Sequence, residues 1–165
     1  MVVLGIDPGT ALTGFGFIDV DSRGALTVID YGVISTPAKQ KMEYRLLTLF
    51  NELSDKMLLY KPSYGAVEKL FFSNNVTTAI SVGQARGIVL LCMARAGIPI
   101  AEFTPNEIKQ AVVGYGGAEK RQVQLMVQSI LGLPELPKPD DAADALAVAI
   151  TCSSSLAYLQ LLNRV

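Results

Sequence analysis

Four carboxylates stand where apolar elements start, stop or break. Asp7 follows the apolar run 2–6, Glu68 interrupts a second apolar run, and Asp141 and Asp144 open the last apolar segment. Asp141 and Asp144 are three residues apart, which on a helix puts both on one face, and Asp140, four before Asp144, shares that face equally well. Carboxylates gathered in one place repel each other unless a hard cation neutralises them. Mg²⁺ does so with oxygen ligands while keeping waters and substrate phosphate in its shell. Two such ions about 4 Å apart clamp the attacking and leaving oxygens of a phosphoryl transfer. Each acid also has a plainer reading: Asp7 before Pro8-Gly9 as a turn former, and Asp140, Asp141 and Asp144 as helix caps that complement the helix dipole. Glu68 resists such a reading, because an acid buried in an apolar strand without a partner is costly.

Other chemistries are thinly supplied. The chain has no histidine, which excludes triads with a histidine base and histidine-ligated zinc. Its two cysteines, Cys92 and Cys152, lie in apolar helical contexts without metal-type spacing and read as buried thiols rather than a disulfide. An all-carboxylate site favours Mg²⁺, with Mn²⁺ as a substitute, over softer metals. Beside the acids, Phe71 and Phe72 are adjacent aromatics in a polar turn. Both can be rim core residues, or one can be exposed to stack on an unpaired base. Arg86, Lys109, Lys120 and Arg121 suit phosphate contacts or, more plainly, solvated helix faces. Gly83, Ala85 and Gly87 within a helix suggest close approach of a neighbour, either the sheet or a second subunit.

The elements that must position these residues follow from periodicity. A length of 165 residues with 50% hydrophobic and 18% charged side chains suits one domain, residues 1–165, with a sizeable core. Residues 2–6 read as a buried strand, and 13–20 with 26–35 as a hairpin turning at Asp21-Ser22-Arg23-Gly24. Leu46, Leu49, Phe50, Leu53 and Met57 mark an amphipathic helix over 42–60, closed by Lys61-Pro62. A strand over 64–70, a helix capped by Asn74 or Asn75 and running to Ala96, and a strand over 98–103 follow. Thr104-Pro105-Asn106-Glu107 is a capping box for a short helix, Val123, Met126, Val127 and Ile130 mark another, and the last begins near Asp140. A strand and hairpin followed by alternating helices and strands predict an α/β fold: a mixed five-stranded sheet, with the first and fourth strands adjacent where the order reverses.

The net charge of −1 argues weakly against a nucleic-acid partner, but its distribution weakens that argument. Residues 61–125 hold 7 Lys/Arg against 4 Asp/Glu, between two acidic ends. The longest apolar helical stretch, 87–94, ends at Arg95, too short for a membrane span, and the first residues lack a basic signal-peptide start, so a cytoplasmic protein is expected.

The motifs Gly5-Ile6-Asp7-Pro8-Gly9, Val67-Glu68 followed by Phe71, Gly83-Gln84-Ala85-Arg86-Gly87, Lys109-Gln110-Ala111-Val112-Val113-Gly114, Ala118-Glu119-Lys120 and Asp141-Ala142-Ala143-Asp144-Ala145-Leu146-Ala147 resemble the bacterial RuvC family of Holliday-junction resolvases, in order and spacing, over nearly the whole chain. The resemblance implies an RNase H-like fold with helices on both faces of the sheet. It also implies a homodimeric, Mg²⁺-dependent endonuclease, with two ions per subunit, that nicks two opposed strands of a four-way DNA junction in recombination and repair. It places an acidic tetrad at Asp7, Glu68, Asp141 and Asp144, a junction-probing aromatic at Phe71, DNA-contacting lysines at Lys109 and Lys120, and the dimer contact on the helix holding Gly83 and Gly87. A branch-migration complex of RuvA and RuvB is the implied partner. Two rival readings carry different expectations. A phosphotransferase of the actin and sugar-kinase type shares the Asp7-Pro8-Gly9-Thr10 turn but needs two such domains around ATP. A non-catalytic junction-binding module would use the acids only as caps and turns.

Overall fold

The computed structural model describes residues 1–69 and 76–162, with side chains described through 1–69 and 79–156. In chain order the elements are β1 (Val2–Asp7), β2 (Leu12–Val20), β3 (Leu26–Ser35), α1 (Met42–Tyr60), β4 (Tyr64–Glu68), α2 (Val76–Arg95), β5 (Ile100–Phe103), α3 (Pro105–Val113), α4 (Lys120–Leu131) and α5 (Asp140–Leu162). The five strands form one mixed sheet in the order β3-β2-β1-β4-β5. β1 runs antiparallel to β2, with Asp7 opposite Gly14, and parallel to β4, with Ile6 beside Val67. The order reverses at the β1/β4 seam as expected, and both acids of that seam lie at the strands' C-terminal ends.

Two strand boundaries differ from the sequence expectation by two residues. The fourth strand ends at Glu68 rather than running to Leu70, so Glu68 closes the strand instead of interrupting it. The fifth begins at Ile100, because the Ile98 amide is already committed to the Met93 carbonyl in the turn that ends α2. The expected caps Asn74 and Asn75, with Phe71 and Phe72, lie outside the described residues.

Each face of the sheet carries its own core. Leu4, Ile6, Phe17 and Val67 pack against Leu49 and Leu53 of α1 and Val89 of α2, whereas Val3, Ile18 and Ala66 pack with α3, α4 and α5 through Ile108, Val123 and Leu146. Strand alternation therefore points Asp7 and Glu68 toward the α5 face. α3 starts where the sequence says, with Thr104 and Glu107 completing the capping box, and α4 starts with Glu119 and Gln122 in the same reciprocal arrangement. Among the described residues no helix is long and apolar enough to cross a membrane. Both cysteines are buried free thiols, and burial pushes the Cys152 thiol up to about 12.

α5 lies directly on β1 and β2. A Cβ on Gly5 would overlap the Ala145 carbonyl oxygen and the Ala149 amide, and one on Gly14 would overlap the Asp141 carbonyl oxygen. The close backbone approach thus occurs at the sheet glycines. Gly83 and Gly87, where the sequence suggested it, have no described atom within 4 Å of an added Cβ and open outward from α2. Of the two neighbours the sequence allowed, the sheet is therefore not the one: α2 turns Ala85 and Val89 to the sheet, leaving the glycines on its other side. Because the atoms that Gly5 meets are backbone, Gly5→Ala is expected to cost about 1–3 kcal/mol and lower Tm by roughly 3–10 °C. Thermal melting checks this, and an unchanged Tm would show that α5 has room to shift.

Candidate active site

Asp7 and Glu68 end neighbouring strands, and α5 presents Asp141 and Asp144 from its first turns over the same seam. The acids interact strongly. Asp7 is pushed from 3.8 up to about 8, first by burial and then by the charges of Glu68, Asp144 and Asp141, against a weaker pull down from Lys120. Burial, then the Asp144 charge, also raises Glu68. The Asp7 carboxyl, donating a hydrogen bond to Glu68, opposes this, as do Lys120 and Lys109. Asp144 is raised by burial and by Asp141 and Asp140, against the hydrogen bond and charge of Lys120. In the metal-free protein a retained proton on Asp7 and the Lys120 ammonium therefore relieve the crowding.

Lys120 begins α4 with its Nζ 3.0 Å from Asp144 Oδ2 and 3.4 Å from Asp140 Oδ2. Burial works against its charge, but pairing with Asp144 and Asp140 outweighs that and raises its pKa. A cavity of about 280 Å³ opens beside these groups, lined by Glu68, Lys109, Lys120 and Asp144 over an apolar floor of Ile108, Val123 and Ala147. Two of the four acids and both expected DNA-contacting lysines thus share one cleft, and Arg121 is exposed next to Lys120.

Asp140 and Asp141, equivalent in spacing, are separated by the fold. Asp141 is among the charges felt by Asp7, whereas Asp140 turns toward α4 and accepts a hydrogen bond from Gln124 Nε2 at 3.0 Å. Arg86 is not brought to the site. It projects from α2 and pairs with Glu102 of β5, the register neighbour of Val67, on the sheet face opposite the acids. That ion pair answers the charge which, on sequence alone, suited a phosphate. Gln124, only 8% exposed, is a polar contributor that the sequence reading missed. A glutamine one turn after Lys120 on an otherwise apolar face was the available signal.

The donor set fits a hard divalent cation: all oxygen, negatively charged in excess, with Asp7 raised by burial first and by its acidic neighbours second. Among the described residues no three acids stand at metal-holding distance as they are, and Lys120 pairs with both Asp140 and Asp144.

Comparison with known proteins decides the family. The model of the crossover junction endodeoxyribonuclease RuvC matches residues 3–152. The chain belongs to the RuvC family. It is 55% identical to the RuvC of Heliobacterium modesticaldum over 96% of this chain and 97% of that one. It is 58% identical to the RuvC of Syntrophomonas wolfei over 91% and 87%. Thermus thermophilus RuvC, solved in complex with a Holliday junction substrate, superposes with a TM-score of 0.90 at 36% identity, covering 97% of this chain and 96% of that one. The RuvC architecture is RNase H-like, and the mixed five-stranded sheet with its helices is that fold.

A pH effect follows from Asp7. Its folded value of about 8 lies above the ordinary 3.8, so the folded protein holds a proton that the unfolded chain releases between those values. Its stabilising contribution is complete below about pH 4 and is lost as pH rises through about 8. Melting in a chelator from pH 5 to 8.5 should therefore show Tm falling with pH, a smaller fall in Asp7→Asn, and a higher Tm for that variant at pH 8. Parallel curves for the two proteins would contradict the buried, protonated Asp7.

Proposed function

We propose that this chain resolves four-way DNA junctions, hydrolysing one phosphodiester in each of two opposed strands to leave 5′-phosphate and 3′-hydroxyl nicks, as a homodimer of RNase H-like nuclease domains each spanning residues 1–165. The observation that carries this is the charge-crowded tetrad of Asp7, Glu68, Asp141 and Asp144 beside a lysine-lined cleft, in a family whose Thermus member was solved with its junction substrate. Asp7, Glu68, Asp141 and Asp144 would hold Mg²⁺, two ions per subunit, with Mn²⁺ able to substitute. When bound, such ions supply charge neutralisation at the phosphate and activation of water.

The chain's own residues do the rest. Asp7 gives up its proton to become a ligand, and Lys120 releases Asp144. Lys109 and Lys120 bind phosphate oxygens across the cleft, and Arg121 extends the contact along the backbone. Phe71, outside the described residues, is assigned to an unpaired base by family resemblance, and Phe72 beside it is the second aromatic able to stack. Little covalent chemistry falls to side chains, so positioning and electrostatics set the rate.

Paired nicking requires two sites. α2 offers an outward line of Ile80 at 59% and Leu91 at 49% exposure with the open Gly83 and Gly87 between them, which suits a twofold contact between identical helices. Acting on chromosomal junctions beside a branch-migration complex of RuvA and RuvB, the protein would work in the cytoplasm.

An end-labelled synthetic junction with Mg²⁺, run on a denaturing gel, tests the central reading. The wild type should give symmetric paired nicks and leave linear duplex uncut, and Glu68→Gln should lose at least about 10²-fold in rate while binding the junction normally. Junction binding without cleavage in Mg²⁺ or Mn²⁺ across many sequences would return the acids to capping and turns. For the dimer, Leu91→Glu should sediment as a monomer and nick singly, and a stable dimer in that variant would exclude α2 as the contact.

A further inference from the structure

Asp140 is the acid of its segment that the tetrad does not use. It begins α5, and its two oxygens have different partners: Oδ1 accepts from Gln124 Nε2 at 3.0 Å, and Oδ2 stands 3.4 Å from Lys120 Nζ. Lys120 and Gln124 are one helical turn apart on α4, so both reach the same carboxylate from one face. Gln124 is nearly buried, whereas the Lys120 side chain is 54% exposed. A buried, rigid amide therefore orients the carboxylate, and the carboxylate in turn holds a long, mobile ammonium at the lip of the cleft.

We infer that Gln124 and Asp140 are positioning residues that keep Lys120 aimed into the cleft while the junction is cut. The inference rests on the reading of the tetrad as the metal site and of Lys120 as a phosphate contact. Lys120 has two anionic partners in the metal-free protein, and cleavage requires that it surrender one. Asp144, 3.0 Å from Nζ, is needed among the acids that take the cation. Asp140 lies outside that group and remains. Without it the lysine would be left with solvent and with phosphate oxygens that it must find from a wide range of rotamers, since its flexible stem has no planar fork to preset the geometry.

Asp140 as a mere surface charge makes the opposite prediction. Removing a negative charge beside DNA strengthens binding generally and does not slow the chemical step. Asp140→Asn is the discriminating variant, because asparagine retains an acceptor for Gln124 and can still begin a helix but offers Lys120 no charge.

The experiment measures single-turnover cleavage of a synthetic four-way junction at saturating Mg²⁺, with junction affinity measured separately. The variants are Asp140→Asn, Asp140→Glu, Lys120→Ala and the double variant Lys120→Ala/Asp140→Asn. Asp140→Asn should slow cleavage about tenfold or more, with affinity unchanged within about twofold, and Asp140→Glu should recover most of the rate. In the Lys120→Ala background the Asp140→Asn change should add no further loss, because the group it positions is gone. Full-speed cleavage by Asp140→Asn beside a slowed Lys120→Ala overturns this assignment alone, as does a loss that multiplies in the double variant. Full-speed cleavage by Lys120→Ala overturns the phosphate role of Lys120, and the positioning role falls with it. Matching melting curves for wild type and Asp140→Asn exclude misfolding as the cause of a slow rate.

Discussion

The contact on which the rest depends is backbone against backbone: α5 lies on β1 and β2 with no side chain between them at Gly5 and Gly14. A Cβ at either glycine would overlap the backbone of α5 and force the helix away. Here the glycines and the alanines at 142, 145 and 149 let it sit closer, and its first turn is carried directly over the end of β1. Asp141 and Asp144 then meet Asp7 and Glu68 without long, mobile side chains having to span the gap. Short acids on rigid elements are well placed to hold an ion to a fraction of an ångström.

That closeness creates an electrostatic problem, and the metal-free protein meets it in two ways. Asp7 keeps a proton, and Lys120 lends its ammonium to Asp144. Both arrangements are reversible, and in the proposed reaction a divalent cation would take their place. The same physics that raises the Asp7 pKa stores repulsion that cation binding relieves, so the fold tolerates local instability where its chemistry is done. The opposite face of the sheet shows the contrast. There Arg86 and Glu102 neutralise each other, and among the described residues the core is apolar.

The α3/α4 layer supplies the other half of the cleft. Two capping boxes, at Thr104/Glu107 and Glu119/Gln122, fix where these helices begin. Those starting points set Lys109 and Lys120 on the same cavity as Glu68 and Asp144. Local hydrogen bonding at helix ends is thus tied to the placement of charges that would meet DNA.

Much of this was legible in the amino-acid order. The helix over 42–60, the Thr104/Glu107 capping box and the hairpin follow from periodicity and end signals, which are local properties, and the adjacency of the first and fourth strands from the order of the elements. Asp7 and Glu68 were legible as candidates because carboxylates at the ends of apolar elements are costly unless used, whereas the choice of Asp141 over Asp140 came only from the family resemblance. What only the tertiary structure decided concerns direction and neighbours. Asp140 and Asp141 have equal claims by spacing, and only the angle at which α5 crosses the sheet sends one toward Asp7 and the other toward Gln124. Arg86 looks like a free cation until β5 brings Glu102 beneath it. Gly83 and Gly87 left open whether the sheet or a second subunit approaches them, and within the chain the close backbone approach belongs to Gly5 and Gly14, because a glycine's sequence context does not say which side of its element another backbone will meet. Spacing along a chain fixes which residues share a face, but which face meets which neighbour depends on the packing of elements far apart in sequence.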